Sequence, residues 1–320
     1  MQNSRSKKKV EEILKNFLNV YWLRPESALW RTIDVLAMDS FTFESPSLDL
    51  GCGDGIFSFI RAGGEFGFGF DMFQSVSSLD KYFENVDIYN YFDEKKIHPV
   101  IRKSPNYIID VALDHKEALL KKAAIIGLYR KMVCWDVNLG LPFEDGSFKT
   151  IFSNIIYWLK KPQDVFKEVA RILASNGKAV VMLPNSTMKD YSFYYRLFVK
   201  TGDYAWKWLE KIDRGRLSDN IKHTNDDEAW RRIFSKAGLQ VVKHTQHLSK
   251  TVIETWDIGL RPIFPLLHKM ASRIDAEKLI EIKKEWIALF SELLLPLCTT
   301  SWCTDSEYPP AFHCYVLLKI

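Results

Sequence analysis

The stretch SLDLGCGDGIFSFI, residues 47–60, places glycines at 51, 53 and 55 between an apolar run and an amphipathic one. Side chains at those positions would hold a ligand away from the main chain, so their absence points to close approach of something to the backbone, with the free N–H groups of the following helix beside it. Acidic residues stand in order around this turn. Asp49 precedes it, Asp71 ends EFGFGFD (65–71), and Asp136 follows KMVCW (131–135). A carboxylate accepts several hydrogen bonds at once. The dinucleotide pattern G-x-G-x-x-G requires glycine at 56, where this chain has Ile.

To hold those residues on one edge, SLDL must be a buried strand, the glycines a tight turn, and GIFSFIRAGG a helix stopped by Gly63 and Gly64. EFGFGFD then reads as the second strand, and strand, glycine turn, helix, strand opens a doubly wound sheet. Upstream, VEEILKNFLNVYWL (10–23) and ESALWRTIDVLAM (26–38) carry apolar residues at helical spacing on either side of Pro25. Asp136 lies too far beyond Asp71 for a plain crossover, so residues 80–130 read as an insertion with a helix at DHKEALLKKAAIIGLYRK. A regular rhythm follows: LPFEDGSFKTIFSN enters a fourth strand, PQDVFKEVARILA is a helix with Pro at its start, and GKAVVMLP is a fifth strand. DDEAWRRIFSKAG and LQVVKHTQHL add a helix and a strand, and AFHCYVLLKI is the last strand. Residues 186–223 and 251–309 interrupt this finish as covering elements. The expected organisation is therefore helices over 1–45 covering a ligand and a core over 46–320 with insertions at 80–130, 186–223 and 251–309.

With 320 residues, of which 47% are hydrophobic and 14% aromatic, the chain buries a sizeable core. Its 44 basic and 40 acidic residues leave only +4, part of it in the terminal SRSKKK, which reads as a solvated arm. No apolar run of membrane-spanning length and no signal-peptide pattern appears, so a cytoplasmic location is expected. The five cysteines include no CxxC pair, and Cys298, Cys303, His313 and Cys314 fit no usual zinc spacing. No metal is expected, and the cysteines read as reduced.

The run from residue 47 to 183 resembles the class I S-adenosylmethionine-dependent methyltransferases, in their small-molecule, type 11-like branch. LDLGCGDG is similar to the family's first motif, CWDVN to its third-strand motif, and TIFSNIIYWLKKPQDVFKEVARILASNGKAVVMLP to its fourth-strand, helix and fifth-strand run. The resemblance implies a Rossmann-like α/β fold, a seven-stranded sheet whose helical insertions form a lid, and S-adenosyl-L-methionine as cofactor. It places Gly51, Cys52, Gly53 and Gly55 against the cofactor's methionine part, with Asp49 fixing that end. By the same resemblance Asp71 takes the ribose hydroxyls, Asp136 the adenine amino group, Met72 and Val137 flank adenine, and Ser153 lies at the cofactor edge.

Methyl transfer from a sulfonium is an in-line displacement, which asks the protein chiefly for positioning in a dry pocket. Enzymes that methylate base amino groups carry an N/D-P-P-Y signature after the fourth strand, whereas this chain has SNIIYW. That favours a small-molecule or lipid-like acceptor, most of all at oxygen, over nucleic acid. Asn154 is a candidate to orient the acceptor, and Tyr157 and Trp158 to wall it or to pack as core. Arg24 either pairs with the methionine carboxylate, Tyr21 nearby, or forms a salt bridge to Glu26. His223, before a helix that Thr224 or Asn225 would cap, is a candidate base or a bystander of that cap. Arg261, in WDIGLRPIFPLL, is a candidate contact for an anionic substrate group. His244 and His247, three apart on a strand, face opposite sides. The aromatic and basic residues of YSFYYRLF and YAWKWL read as a lid face, with Tyr194, Tyr195, Trp206 and Trp208 as candidate pocket residues, or as a stacking surface for RNA. Two alternatives therefore stand beside the small-molecule enzyme: an RNA-modifying methyltransferase, and a non-catalytic protein that binds the cofactor or a partner.

Overall fold

The computed structural model describes residues 7–38, 41–72, 99–213, 223–299 and 307–320. In chain order, α1 (Lys7–Val20) and α2 (Pro25–Ala37) precede β1 (Ser47–Leu50), α3 (Ile56–Arg61) and a short hairpin of β2 (Glu65–Phe66) and β3 (Ile101–Lys103). β4 (Ile109–Asp114), α4 (Glu117–Ile125), β5 (Tyr129–Cys134), β6 (Phe148–Ser153), α5 (Pro162–Ile172) and β7 (Leu173–Pro184) complete the parallel part. α6 (Leu209–Asp213), α7 (Asp227–Lys236) and β8 (Leu239–His247) follow, then α8 (Lys250–Ile258), α9 (Phe264–Ala271), α10 (Ala276–Thr299) and β9 (Phe312–Lys319).

Seven strands form one sheet in the order β5-β4-β1-β6-β7-β9-β8. β5, β4, β1, β6 and β7 run parallel, and β9 is antiparallel to both β7 and β8. Chain order reverses between β1 and β6, so the crevice at their carboxyl ends is where such a sheet receives a ligand. Every residue of β1 is buried, as a strand covered on both faces requires.

One expectation is overturned. EFGFGFD is not the second sheet strand, because only Glu65 and Phe66 are extended and they pair antiparallel with β3 in a separate two-stranded sheet. The strand beside β1 is β4, with Leu48, Asp49 and Leu50 in register with Val111, Ala112 and Leu113. The long interruption therefore falls between α3 and β4, residues 62–108, and the helix expected over 114–131 is the shorter α4, which gives way to β5 at Tyr129. Residues 73–98 of that interruption lie outside the described residues.

Helices cover both faces. α1, α2, α3 and α10 pack together on one side. On the other, α5 and α7 meet the sheet through Phe166, Trp230, Phe234 and Tyr315. Proline begins α2 and α5, and Asp226, not Thr224 or Asn225, caps α7 by accepting the Ala229 N–H at 2.8 Å. The aromatic stretch after β7 folds into short turns that leave Trp206 and Trp208 38% and 52% exposed. Residues 186–200 are tied to α8 instead, through the Phe193 N–H on Asp257 (2.7 Å) and the Arg196–Glu254 ion pair (2.9 Å).

Trp230 is fully buried and donates its indole N–H to Pro184 O at 3.1 Å. Trp230→Ala is expected to cost about 3–5 kcal/mol in urea denaturation, and Trp208→Ala to stay within about 0.5 kcal/mol. Equal losses would show that the exposed aromatic stretch carries core packing.

Candidate functional site

The turn after β1 departs from ordinary side-chain space at each glycine. At Gly51 (φ +81°) a Cβ would lie 2.1 Å from Ile155 Cγ1, and at Gly55 (φ +75°) it would meet Ile126 and Tyr129 at 2.8 Å. Gly53 (φ +58°) has nothing within 4 Å of that position, so the turn is open to a ligand on that side. The Gly51 and Cys52 N–H groups donate to Leu113 O at 2.8 and 3.1 Å, locking the turn onto β4. Burial holds the Cys52 thiol well above its ordinary range, and it donates to Gly53 O at 3.4 Å.

Asp49 lies beneath the turn, 2% exposed. Its Oδ2 accepts from Ser58 Oγ (2.5 Å), one turn into α3, and from the Tyr129 hydroxyl (2.7 Å), at the start of β5. Burial pushes the Asp49 carboxyl up to about 6, against the pull of those two hydrogen bonds and the Arg61 charge. A second carboxylate, not among the residues expected from the sequence, stands at the same edge. Asp114 ends β4, accepting the Gly53 N–H on Oδ2 (3.0 Å) and the Lys116 N–H on Oδ1 (2.9 Å). The signal for it was present: Ile109, Val111 and Leu113 alternate with smaller or polar residues ahead of an acid and a helical run.

Asp71 approaches from outside the sheet. Its Oδ2 accepts from the Trp22 indole at 2.7 Å, and with buried Met72 it lines a hollow shared with Asp54, Ile56, Lys122 and Ile126. At the end of β5, exposed Asp136 turns Oδ1 onto the Asn138 N–H (2.9 Å) and side-chain amide (2.8 Å), which holds its carboxyl below the usual range. Val137 is buried in the core. Ser153 donates its hydroxyl to Leu50 O at 2.8 Å, stitching β6 to β1 at the reversal point.

Past β6, Asn154 is half-buried, Tyr157 is buried against Phe312 (ring centroids 5.7 Å apart), and Trp158 is 49% exposed, edge-on to Tyr157. Burial pushes the Tyr157 phenol far up, so it keeps its proton and suits a donor or wall better than a base. Arg24 pairs with Glu26 at 3.2 Å, and the same carboxylate takes the Leu260 N–H at 3.3 Å, which brings Arg24 and the residue before Arg261 to one acid. His223 is half-buried, two residues before Asn225, whose N–H reaches Pro184 O at the end of β7.

Asp49 generates a pH test. The folded chain keeps this proton up to about pH 6, whereas an unfolded Asp releases it near pH 4. The unfolded state then binds fewer protons in that window, so Asp49 lowers stability as pH rises from about 4 to about 6. Relative to wild type, Asp49→Asn should gain melting temperature across that window, by roughly 5 °C, and hold the gain above it. A difference that does not vary with pH would show that Asp49 buries no charge.

A family model described as "Methyltransferase domain" matches residues 105–181, the span that holds β4, β5, β6 and most of β7. No curated protein matches the chain. Among solved structures, a possible histamine N-methyltransferase from Thermotoga maritima is 16% identical, with 78% of this chain and 90% of that one covered and a TM-score of 0.44. A methyltransferase from Thiobacillus denitrificans, in complex with S-adenosyl-L-homocysteine, is 12% identical over 91% and 90% of the two chains, TM-score 0.44. The [4+2]-cyclase SpnF is 12% identical over 92% of this chain and 82% of its own, TM-score 0.47. The chain thus carries a glycine turn and strand-end acids on a seven-stranded sheet of the class I methyltransferase fold, with a methyltransferase domain matched along four of those strands.

Proposed function

We propose that this chain is an S-adenosylmethionine-dependent methyltransferase acting on a small or lipid-like metabolite, at oxygen in the first place, and that Asp114 rather than Asp71 holds the ribose of the cofactor. The observation that carries the ribose assignment is the position of Asp114: it ends the strand beside β1, with its carboxylate on the glycine turn. A carboxylate there is fixed by the sheet, whereas Asp71 belongs to the interruption and is engaged by Trp22. The residues fit the cofactor. What supports this is the open side of Gly53, which leaves room beside the turn; in this reading Asp49, Cys52 and Ser153 would hold the methionine part and Asp136, just past β5, would take the adenine amino group with Val137. Met72 and Arg24 remain candidates for the outer wall.

When bound, S-adenosylmethionine supplies a methyl group on a sulfonium, open to in-line displacement. The chain's part is to bind, orient and exclude water. Asn154, Tyr157 and Trp158 stand at the acceptor side after β6, Tyr157 donating or walling. His223 and Arg261 stand on the covering segments as candidates for moving a proton and for meeting an anionic group. Trp30, on α2, packs on Trp256 of α8 (4.6 Å) and on Phe312 (5.3 Å), roofing this end of the sheet with aromatic rings. Such a roof suits a compact acceptor with an apolar body better than a duplex. The exposed Tyr204, Trp206 and Trp208 with Lys207 favour RNA as the second reading, since unpaired bases stack on such rings.

Asp114→Asn should weaken S-adenosylmethionine binding by roughly tenfold or more, since hydrogen bonds to a charged group are worth about 1.5–3 kcal/mol each. Asp71→Asn should change it less than about threefold, both read by calorimetry. The reverse order would return the ribose to Asp71. Incubation with methyl-labelled cofactor and a cell-metabolite extract, followed by mass spectrometry, should find the label on a small hydroxylated product. Label on RNA alone, with binding that falls steeply with salt, would replace the metabolite reading by the second.

A further inference from the structure

A buried histidine at the acceptor end of the sheet is set up as a proton acceptor by a carboxylate from another element. His247 is the last residue of β8, in register with Phe312, which is in turn in register with Pro184 at the end of β7. Its imidazole therefore lies at the carboxyl edge of the parallel strands, beyond Ser153, whose own register partner is Val181. His247 and Asp34, on α2, are 6% and 2% exposed, and His247 Nε2 lies 3.2 Å from Asp34 Oδ1. The other Asp34 oxygen takes Arg31 Nη1 at 3.4 Å, and the Arg31 guanidinium lies 5.5 Å over Phe57, the second residue of α3 after the glycine turn. A carboxylate beside an arginine accepts and does not donate, so Nε2 carries the imidazole proton and Nδ1 keeps its lone pair. Nδ1 is buried and has no hydrogen-bond partner among the described residues. Buried polar atoms are nearly always satisfied, and one left open at a ligand-binding edge marks the place of a missing partner.

We propose that His247 Nδ1 receives the proton of the methyl acceptor, with Asp34 as the positioning residue that fixes the tautomer and Arg31 as the group that fixes Asp34. This rests on the reading that the acceptor is an O–H or N–H group. The acceptor's lone pair bonds to the methyl carbon as the carbon–sulfur bond breaks and its electron pair stays on sulfur. The acceptor's proton passes to Nδ1, giving an imidazolium whose charge faces the Asp34 carboxylate, and is released to water when the product leaves. Around the imidazole, the titratable and charged groups are Asp34 and Arg31 from α2, Tyr157 from the turn after β6 and Cys314 from β9, with His244 and His313 on the other face of their strands. Of these, Asp34 is the one hydrogen-bonded to the ring.

The first measurement needs neither cofactor nor substrate. In nitrogen-15 spectra of the full chain, with His247 assigned by difference from His247→Gln, Nδ1 should show the shift of an unprotonated ring nitrogen and Nε2 that of a protonated one. Asp34→Asn should mix the tautomers, and Asp34→Glu should restore the wild-type pattern in part. A proton found on Nδ1 in the wild type overturns the proposal. With methyl-labelled S-adenosylmethionine and the metabolite extract, His247→Gln should reduce labelled product at least 100-fold at neutral pH while cofactor affinity by calorimetry stays within about threefold. Asp34→Asn should lower labelled product with cofactor affinity unchanged, and Asp34→Glu should restore part of it. Retained transfer in His247→Gln, or loss confined to His223→Gln, overturns it as well. A wild type that labels nothing in any extract contradicts the metabolite reading itself, and the spectra then decide the state of the ring on their own.

Discussion

The buried carboxylate of Asp49 is the constraint on which the binding edge depends. It lies on a strand covered on both faces, and only donors from other elements make its position tolerable: Ser58 from α3 and Tyr129 from β5. One oxygen thereby joins the strand before the glycine turn, the helix after it and a strand two places away in the sheet. The turn is fixed from above by the same logic, since its N–H groups reach Leu113 O and the Asp114 carboxylate. Gly51 then has no room for a side chain because Ile155, leaving β6 across the reversal point, fills that space. The glycines do two jobs: two of them let the protein close on itself, and Gly53 leaves the turn open.

Around this edge the covering elements are attached by single polar ties. Lys283 of α10 is 3% exposed and donates to Phe68 O (2.9 Å) and Phe70 O (2.5 Å), which fastens the helix to the interruption between α3 and β4. Burial lowers its ammonium to about 8, and the nearby Asp71 charge opposes that shift. Trp22 extends the tie in both directions, giving its N–H to Asp71 and its carbonyl to the Trp286 indole at 2.6 Å. Glu26 does the same on the far side, accepting from Arg24 and from Leu260. A charged group buried in such a contact is costly to strand, so each tie specifies one seating of a helix more than it adds stability.

Much of this was legible in the sequence because it follows from local rules. The glycine turn, the helices begun by Pro25 and Pro162, and the strands β6, β7, β8 and β9 stand where apolar period and breakers put them. The second strand did not. EFGFGFD has the composition of a strand, but glycines at alternate positions leave it few side chains to bury, and the sheet took YIIDVALD instead. There Asp110 sits within the strand because the Ser47 N–H and hydroxyl both reach its Oδ2 at 2.9 Å, a long-range partnership that no local pattern announces. With β4 as the strand beside β1, the acid that ends that strand is Asp114 and not Asp71, which is why the proposed ribose contact follows the topology. The cover was less legible still: the rings of Tyr204, Trp206 and Trp208 lie on the surface, while Trp30, Trp256 and Phe312, scattered in sequence, meet over the sheet.

The last strand shows how one stretch of chain serves two environments. Along β9, His313 and Tyr315 face α7, and Phe312 and Cys314 face α2, as the period of a strand dictates. On the α7 side His244 Nε2 meets His313 Nδ1 at 2.9 Å, both rings lie against Tyr315, and the Tyr315 hydroxyl donates to Asp227 at 2.9 Å. Burial drives His313 down to about 4, so that ring stays neutral and the cluster packs as an aromatic stack. On the α2 side His247 has a carboxylate in contact with its ring instead of a second imidazole. In the stack one imidazole meets another, and among the described residues no carboxylate touches the His313 ring, whereas the His247 ring is held by an acid with its other nitrogen left open. Two histidines three residues apart in β8 are thus divided between structure and chemistry by the face each one occupies.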